Sequence, residues 1–517
     1  MTSTISVHDG TQAQQLLQDT AFIAAWRRLH ANTAGATVFQ SPEFVGVWYS
    51  HYRDQFAPWL IMQRGTDGEL LALLTLAHDQ RAGTLIVAGG HQAEYQAWLA
   101  RSDRSEGFIA QAWHAIRKRL PATTLTFHYL PPTFPRGAWM AAPLRGLIEP
   151  SVRRRPLMQL LPERVEESLR KKSNKSKLNR LAKLGEVRLE RLRSAQALDP
   201  WFDEIVTHYD LRQGATHDSC PFQTDAQKRA FHLALAEHPE LLHVTVLSVG
   251  GKFAAAHIGA ITNDTVHLGV IAHSPLYAEH SVGKLQLLLL ARHLAGEGFK
   301  TFDLTPGDDP WKERFADAHD DVIELRMYPN AMARVRAMAP RQLLALAKRA
   351  AGVVGITPDR VRRWGAGAHS ADLATDVVEW WTSKTTVATK SVATLARNTI
   401  AHLLLPPAKT SAHARRQFLS DASARLENGE HLYTAACDGK LRYCAWGKPS
   451  AAAQESATLL HDVQGFDDDV ETLFEQNLAL LTAPLIVEVP KGATNLAGVL
   501  NRLGFERSTN GPTTRSA

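Results

Sequence analysis

Residues 302–315 read Phe302-Asp303-Leu304-Thr305-Pro306-Gly307-Asp308-Asp309-Pro310-Trp311-Lys312-Glu313-Arg314-Phe315, and this stretch decides the fold. It begins as a short strand, Thr301–Leu304. A Thr-Pro-Gly-Asp turn follows, and Pro310 then opens a helical turn that runs to Ala316. An acid at a strand end and a lysine on the next helical turn can form a buried ion pair that closes the loop. They can equally face a ligand, where an ammonium stabilises developing negative charge and a carboxylate takes a proton through a water.

Working outward, residues 241–249 and 252–262 read as a hairpin around Gly250-Gly251, and Thr265–Ile271 as a third strand. Gly283–Gly298 reads as a helix and Val322–Tyr328 as a closing strand. Upstream, Glu163–Leu184 has the pattern of one basic helix stopped by Gly185. Strand 187–193 and helices 199–212 and 225–237 come next. Strands at 59–63, 70–77, 84–88 and 124–129, with helices at 14–30 and 108–120, make an earlier mixed lobe. The polar stretches 1–12 and 509–517 read as frayed ends.

These readings predict four units. They are an N-terminal lobe (1–155), a catalytic lobe (156–332), a helical connector (333–400) and a C-terminal lobe (401–517). The connector is rich in Arg and Ala with few strand signals. The C-terminal lobe offers hairpin 431–446, helix 468–480, strand 485–489 and helix 495–503. The expected class is α/β (α+β), with mixed, mostly antiparallel sheets flanked by helices.

A chain of 517 residues exceeds one ordinary core, which agrees with several lobes. The net charge of +6 suits a polyanionic ligand such as a coenzyme without demanding nucleic acid. Three cysteines, none in C-x-x-C spacing, argue against a disulfide framework and against a zinc site. No apolar run reaches the length of a membrane span and no signal pattern opens the chain, so it reads as cytoplasmic, with peripheral membrane contact compatible.

The 302–315 stretch resembles the D-x-x-x-G-D-x-x-[YW]-K-x-x-[WF] signature of CelD/BcsL-type acetyltransferases, a FemAB-related branch of the GNAT superfamily. Four further stretches are similar to that family: Phe39-Gln40-Ser41-Pro42-Glu43-Phe44 with Trp48, Glu94-Tyr95 after Gly89-Gly90, the basic Arg170–Gly185 segment, and Ser281-Val282-Gly283. The closing Asn495-Leu496-Ala497 and Leu503-Gly504-Phe505 resemble the end of a GNAT domain, so the C-terminal lobe reads as a degenerate copy. The resemblance implies tandem GNAT-like lobes and an acyl-CoA-dependent N- or O-acyltransferase, with acetyl-CoA or another acyl-CoA as donor and no metal. The acceptor would be a small molecule or sugar bearing an amine or hydroxyl, in polysaccharide or cell-envelope biosynthesis.

It also implies roles for residues. Ser281, Val282, Gly283 and Lys284 would hold the coenzyme diphosphate at a helix start, where free N–H groups and the helix dipole favour anions. Ser281 can instead be an ordinary N-cap. Backbone N–H groups around Val270 and Ile271 would stabilise the oxyanion. Lys312 and Asp303 would face the reacting centre, with His257 as a candidate base and Tyr95, Trp311 and Asp308 toward the acceptor. His257 can equally be a core histidine. Arg170–Lys183 carries seven basic residues and no acid, which suits coenzyme phosphates, a lipid-linked phosphate or an RNA acceptor stem. The same segment can be a solvated helix face. An aminoacyl-tRNA-dependent FemAB-type ligase, gripping tRNA, is one alternative; a non-catalytic scaffold is another.

Overall fold

The computed structural model describes residues 4–339 except 136, 138, 141 and 308, together with 378–383, 395–407, 415–450, 457–466, 470–481, 484–490 and 493–508. Three sheets flanked by helices make up this part of the chain, the first wholly antiparallel and the other two mixed.

The first sheet runs β1 (Thr4–Asp9), β2 (Phe56–Arg64), β3 (Leu70–Asp79), β4 (Thr84–Val87), with β5 (Leu99–Ala100) also on β3. The N-terminus is therefore a strand rather than a frayed end. Ile5 and Val7 alternate with polar neighbours and pack on the core beneath, a period of two too short to stand out in sequence. Helices α1 (Gly10–Gln18), α2 (Thr20–Ala31), α3 (Pro42–Tyr52) and α4 (Ser105–Arg119) accompany this sheet.

The second sheet orders as β6 (Leu125–Leu130), β14 (Ala318–Met327), β7 (Ile148–Gln159), β13 (Thr301–Asp303), β11 (Thr265–His267), β10 (Lys252–Thr262), β9 (Leu242–Val249), β8 (Val187–Leu192). In addition, β12 (Val270–His273) pairs with β10. The closing strand β14 inserts between β6 and β7, and residues 155 and 156 lie mid-strand in β7. Strand β7 thus spans the expected boundary between the first and second lobes, and β6 joins the second sheet through β14. The helices are α5 (Pro162–Arg170), α6 (Lys172–Ala182), α7 (Ala195–His217), α8 (Pro221–Thr224), α9 (Lys228–Ala236), α10 (Val282–Gly296) and α11 (Pro310–Glu313). The expected single basic helix is two, because Lys171 adopts a non-helical conformation between α5 and α6.

The third sheet orders as β16 (Ala396–Arg397), β17 (His431–Cys437), β18 (Lys440–Ser450), β19 (Ala457–Gly465), β20 (Leu485–Pro490), β15 (Val378–Ser383), β21 (Glu506–Ser508). Strand β15 comes from the stretch read as helical connector. Its Val-Glu-Trp-Trp-Thr-Ser sequence is β-prone but short, and the Arg/Ala-rich flanks outweigh it in any window. Helices α12 (Ala401–Leu404), α13 (Arg415–Glu427), α14 (Val470–Ala479) and α15 (Thr494–Arg502) complete the lobe. This lobe leans on α7: Leu211, Leu403, Leu404, Leu419 and Trp446 share one apolar cluster. Gly214 is the contact point, since a Cβ there would lie 2.4 Å from the Leu419 side chain.

Candidate active site

The site begins where a strand splits. The third strand of the second lobe, expected as one piece, breaks into β11 and β12 at Leu268-Gly269. Two glycines make the break. A Cβ on Gly269 would lie 2.5 Å from the Ile258 carbonyl oxygen, and one on Gly259 would lie 2.0 Å from that of His267. Up to this point β11 runs parallel to β13, ending with the Leu268 amide donating to the Asp303 carbonyl at 2.8 Å. Beyond it the partners separate. Strand β12 keeps only β10, while Leu304 N–H donates to Pro156 of β7 at 3.1 Å. The β12 edge toward Leu304 is thereby uncovered. The Ile271 carbonyl on that edge accepts from the Arg212 guanidinium at 3.2 Å. A strand residue's N–H and C=O face the same side, so the Ile271 amide faces the opening too. Val270 lines a cavity there.

The α10 helix starts beside the far end of β12. Ser281 takes a left-handed conformation at φ 52° and makes no side-chain cap of its own helix. The amides of Lys284 and Leu285 both return to the Ser281 carbonyl, leaving Val282 and Gly283 as the free first-turn donors. A Cβ on Gly283 would lie 3.3 Å from the His273 ring at the end of β12. The basic helix α6 packs at this corner, and the Lys177 ammonium donates to the Ser281 hydroxyl. Lys284 is exposed. Two sequence features that lie about a hundred residues apart thus form one cationic corner.

Asp303 ends β13 fully buried. Its Oδ2 accepts from the Tyr95 hydroxyl at 2.6 Å, His267 Nδ1 at 2.8 Å and Arg155 at 3.1 Å, and its Oδ1 accepts from the Thr305 amide at 2.8 Å. Burial alone would raise this carboxyl, but His267, Arg155 and Tyr95 together hold it below the usual carboxylate value. Arg155 spends its remaining fork on Asp320 at 2.6 and 2.7 Å. Tyr95 is completely buried against this hub, and Trp98 is buried as well.

Lys312 sits on α11 with its ammonium turned back into the loop. It donates to the carbonyl oxygens of Thr305 and Pro306, each at 3.2 Å, and lies 3.7 Å from Asp309. Thr305 is strained at φ 59°. Gly307 leaves room for the ammonium, which a Cβ would meet at 3.0 Å. Burial lowers the Lys312 pKa against the pull of Asp309, Glu94 and Asp303. Asp303 and Lys312 therefore share the loop without a direct ion pair within 4 Å.

Glu94, quoted above only as a neighbour of Tyr95, lies between these groups. It is half-buried, and desolvation followed by the charge of Asp303 pushes its carboxyl up to about 7. It has no hydrogen-bond partner among the described residues and lines the cavity together with Tyr209, Lys228, His267 and Thr305. Composition could not flag it, because its surroundings come from the other lobe. Arg212, Arg155 and Lys228 escaped notice for the same reason.

The remaining expected residues lie elsewhere. His257 is fully buried and edge-on to Phe302 at 5.3 Å, away from the cavity lining. Burial lowers it to about 3. Trp311 packs with Phe315 on the apolar cluster under α10. Asp308 lies outside the described residues. His243, His293 and Glu297 gather within 4.8 Å of one another, but Glu297 already pairs with Arg191 at 2.7 Å and Arg193 at 2.9 Å.

Residues 168–313, from the end of α5 to α11, match the family described as acetyltransferase (GNAT) domain. No curated protein matches the chain. Solved structures include L-PGS from Bacillus licheniformis, at 12% identity over 60% of this chain and 92% of that one, TM-score 0.39. FemX shares 9% over 60% and 94%, TM-score 0.41. A tandem GNAT protein from the clavulanic acid biosynthesis pathway shares 14% over 63% and 99%, TM-score 0.39. Likenesses at this level say nothing of function.

Proposed function

We propose that this protein transfers an acyl group from an acyl-CoA to the amine or hydroxyl of an acceptor. Residues 168–313 match the acetyltransferase (GNAT) domain family, which supports this reading. The observation that carries the proposal is the Lys177–Ser281 contact at the start of α10, beside the split between β12 and β13. The free amides of Val282 and Gly283, with Lys177 and the other basic residues of α6, are the right donors for a diphosphate. The coenzyme supplies the acyl thioester. The Ile271 N–H on the open strand edge is the oxyanion donor.

Glu94 takes the proton from the acceptor nucleophile as the new carbon–nitrogen or carbon–oxygen bond forms. The carbon–sulfur bond breaks and the coenzyme thiolate leaves. A carboxyl poised near 7 is a usable base at neutral pH, whereas Asp303, saturated by four donors, is a positioning group. Lys312 holds the 305–307 turn against Thr305 and Pro306.

The reading is tested by thermal shift with acetyl-CoA and longer acyl-CoAs. The wild-type chain should be stabilised, and Gly283→Trp, which drives a ring into His273 and covers the free amides, should abolish the shift. Lys177→Ala should weaken binding several-fold without the steric change. No stabilisation by any acyl-CoA overturns the proposal.

A further inference from the structure

The cavity beside Glu94 has a size and a charge arrangement that specify the acceptor. It encloses about 190 Å³. Its walls are mixed: Phe39, Phe44 and Phe231 stand beside the polar groups of Gln92, Glu94 and His267. Against this lining stands Lys228, the first residue of α9, which is 7% exposed.

Lys228 is a buried ammonium whose Nζ lies 5.3 Å from the centre of the Phe222 ring but which has few polar partners. Its single hydrogen bond among the described residues goes to Gln92 Oε1 at 3.1 Å, leaving two of three donors unused. No carboxylate of the described residues comes within 4 Å. The two acids that act on it are already engaged. Asp225 Oδ2 accepts from Tyr52 at 2.7 Å, His91 at 3.0 Å and Gln92 at 3.1 Å, and Asp210 accepts the amides of Phe222 and Gln223 at 3.1 and 3.0 Å. Burial brings the ammonium down to about 8, against those acids. An incompletely paired buried cation is costly, and a ligand anion would offset the cost. Glu94 and Lys228 both line the cavity, and Lys228 is held there by Gln92, two residues before Glu94.

We infer that the acceptor is a small amino- or hydroxy-carboxylate, its carboxylate on Lys228 and its nucleophile toward Glu94. The nucleophile end rests on the acyltransferase reading; the carboxylate end does not.

The full chain would be titrated by calorimetry with L-leucine and with ε-aminocaproate, and with their carboxamides as neutral counterparts. At least one carboxylate should bind tenfold or more tighter than its amide, and Lys228→Met should erase that difference while keeping the acetyl-CoA thermal shift. Lys228→Gln serves if the Met variant does not fold. Equal binding of amide and carboxylate, survival of the preference in both variants, or no binding of either carboxylate overturns the inference. No thermal shift of the wild type with acetyl-CoA or any longer acyl-CoA, with carboxylate binding intact, overturns the acyl-transfer reading alone.

Discussion

Asp303, Lys312 and Glu94 divide the work at the site in a way that their side-chain chemistry alone does not announce. Asp303 accepts four hydrogen bonds, and a carboxylate held below its usual value has little affinity for another proton. Lys312 is spent on two backbone carbonyls. Glu94 keeps its lone pairs free and sits near 7. Because the base form is the ionised one, kcat/KM should rise with pH through about 7 and level off above it. Glu94→Gln should lower kcat by about 10²–10⁴-fold and remove that limb, read as release of the coenzyme thiol across pH 5.5–9. A limb that survives the substitution assigns the titration to another group.

At the scale of elements, two glycines decide whether there is an opening at all. The β10–β12 approach at Gly259 and Gly269 is closer than any side chain permits, and β11 and β12 diverge from one strand's worth of sequence only because of it. Gly269→Ala places a methyl group 2.5 Å from the Ile258 carbonyl, so backbone must move. Overpacking of this kind costs about 1–3 kcal/mol, to be read as a lower urea midpoint, and acetyl-CoA affinity should fall with it as the Ile271 edge shifts. Unchanged affinity would detach that edge from the site. The break at Lys171 has a comparable role, turning α6 out of line with α5 where Lys177 meets Ser281.

At the scale of the whole molecule, the site belongs to neither lobe. Tyr95 and Glu94 come from the first and His267 and Asp303 from the second, and Arg155 lies on the strand that crosses between them. The cavity is walled from both sides. Folding also buries neutral histidines: His232, His243 and His257 are all lowered to about 3, chiefly by desolvation. Their native forms bind fewer protons than the unfolded chain between about pH 6.5 and 3, so stability falls as pH drops through that window. Each contributes a slope of up to about 1.4 kcal/mol per pH unit. Thermal scans should show Tm declining steeply below pH 6.5, and His257→Phe should flatten the decline. A Tm flat from pH 7 to 4.5 would contradict this burial.

The order of strands and helices from 187 to 327, the helix start at Ser281-Val282-Gly283 and the 303–312 turn were legible in sequence. Periodicity, glycine placement and Pro310 act over a few residues and need no distant partner. The sequence also suggested the wrong continuity at Lys171, at Leu268-Gly269 and at the N-terminal strand, where a backbone break or a short edge pairing leaves no periodic trace. What Asp303, Glu94 and Lys228 do was decided only in three dimensions. Their proton affinities and free hydrogen-bonding positions follow from burial and from charges supplied by residues up to about two hundred positions away, and no local pattern encodes such neighbours.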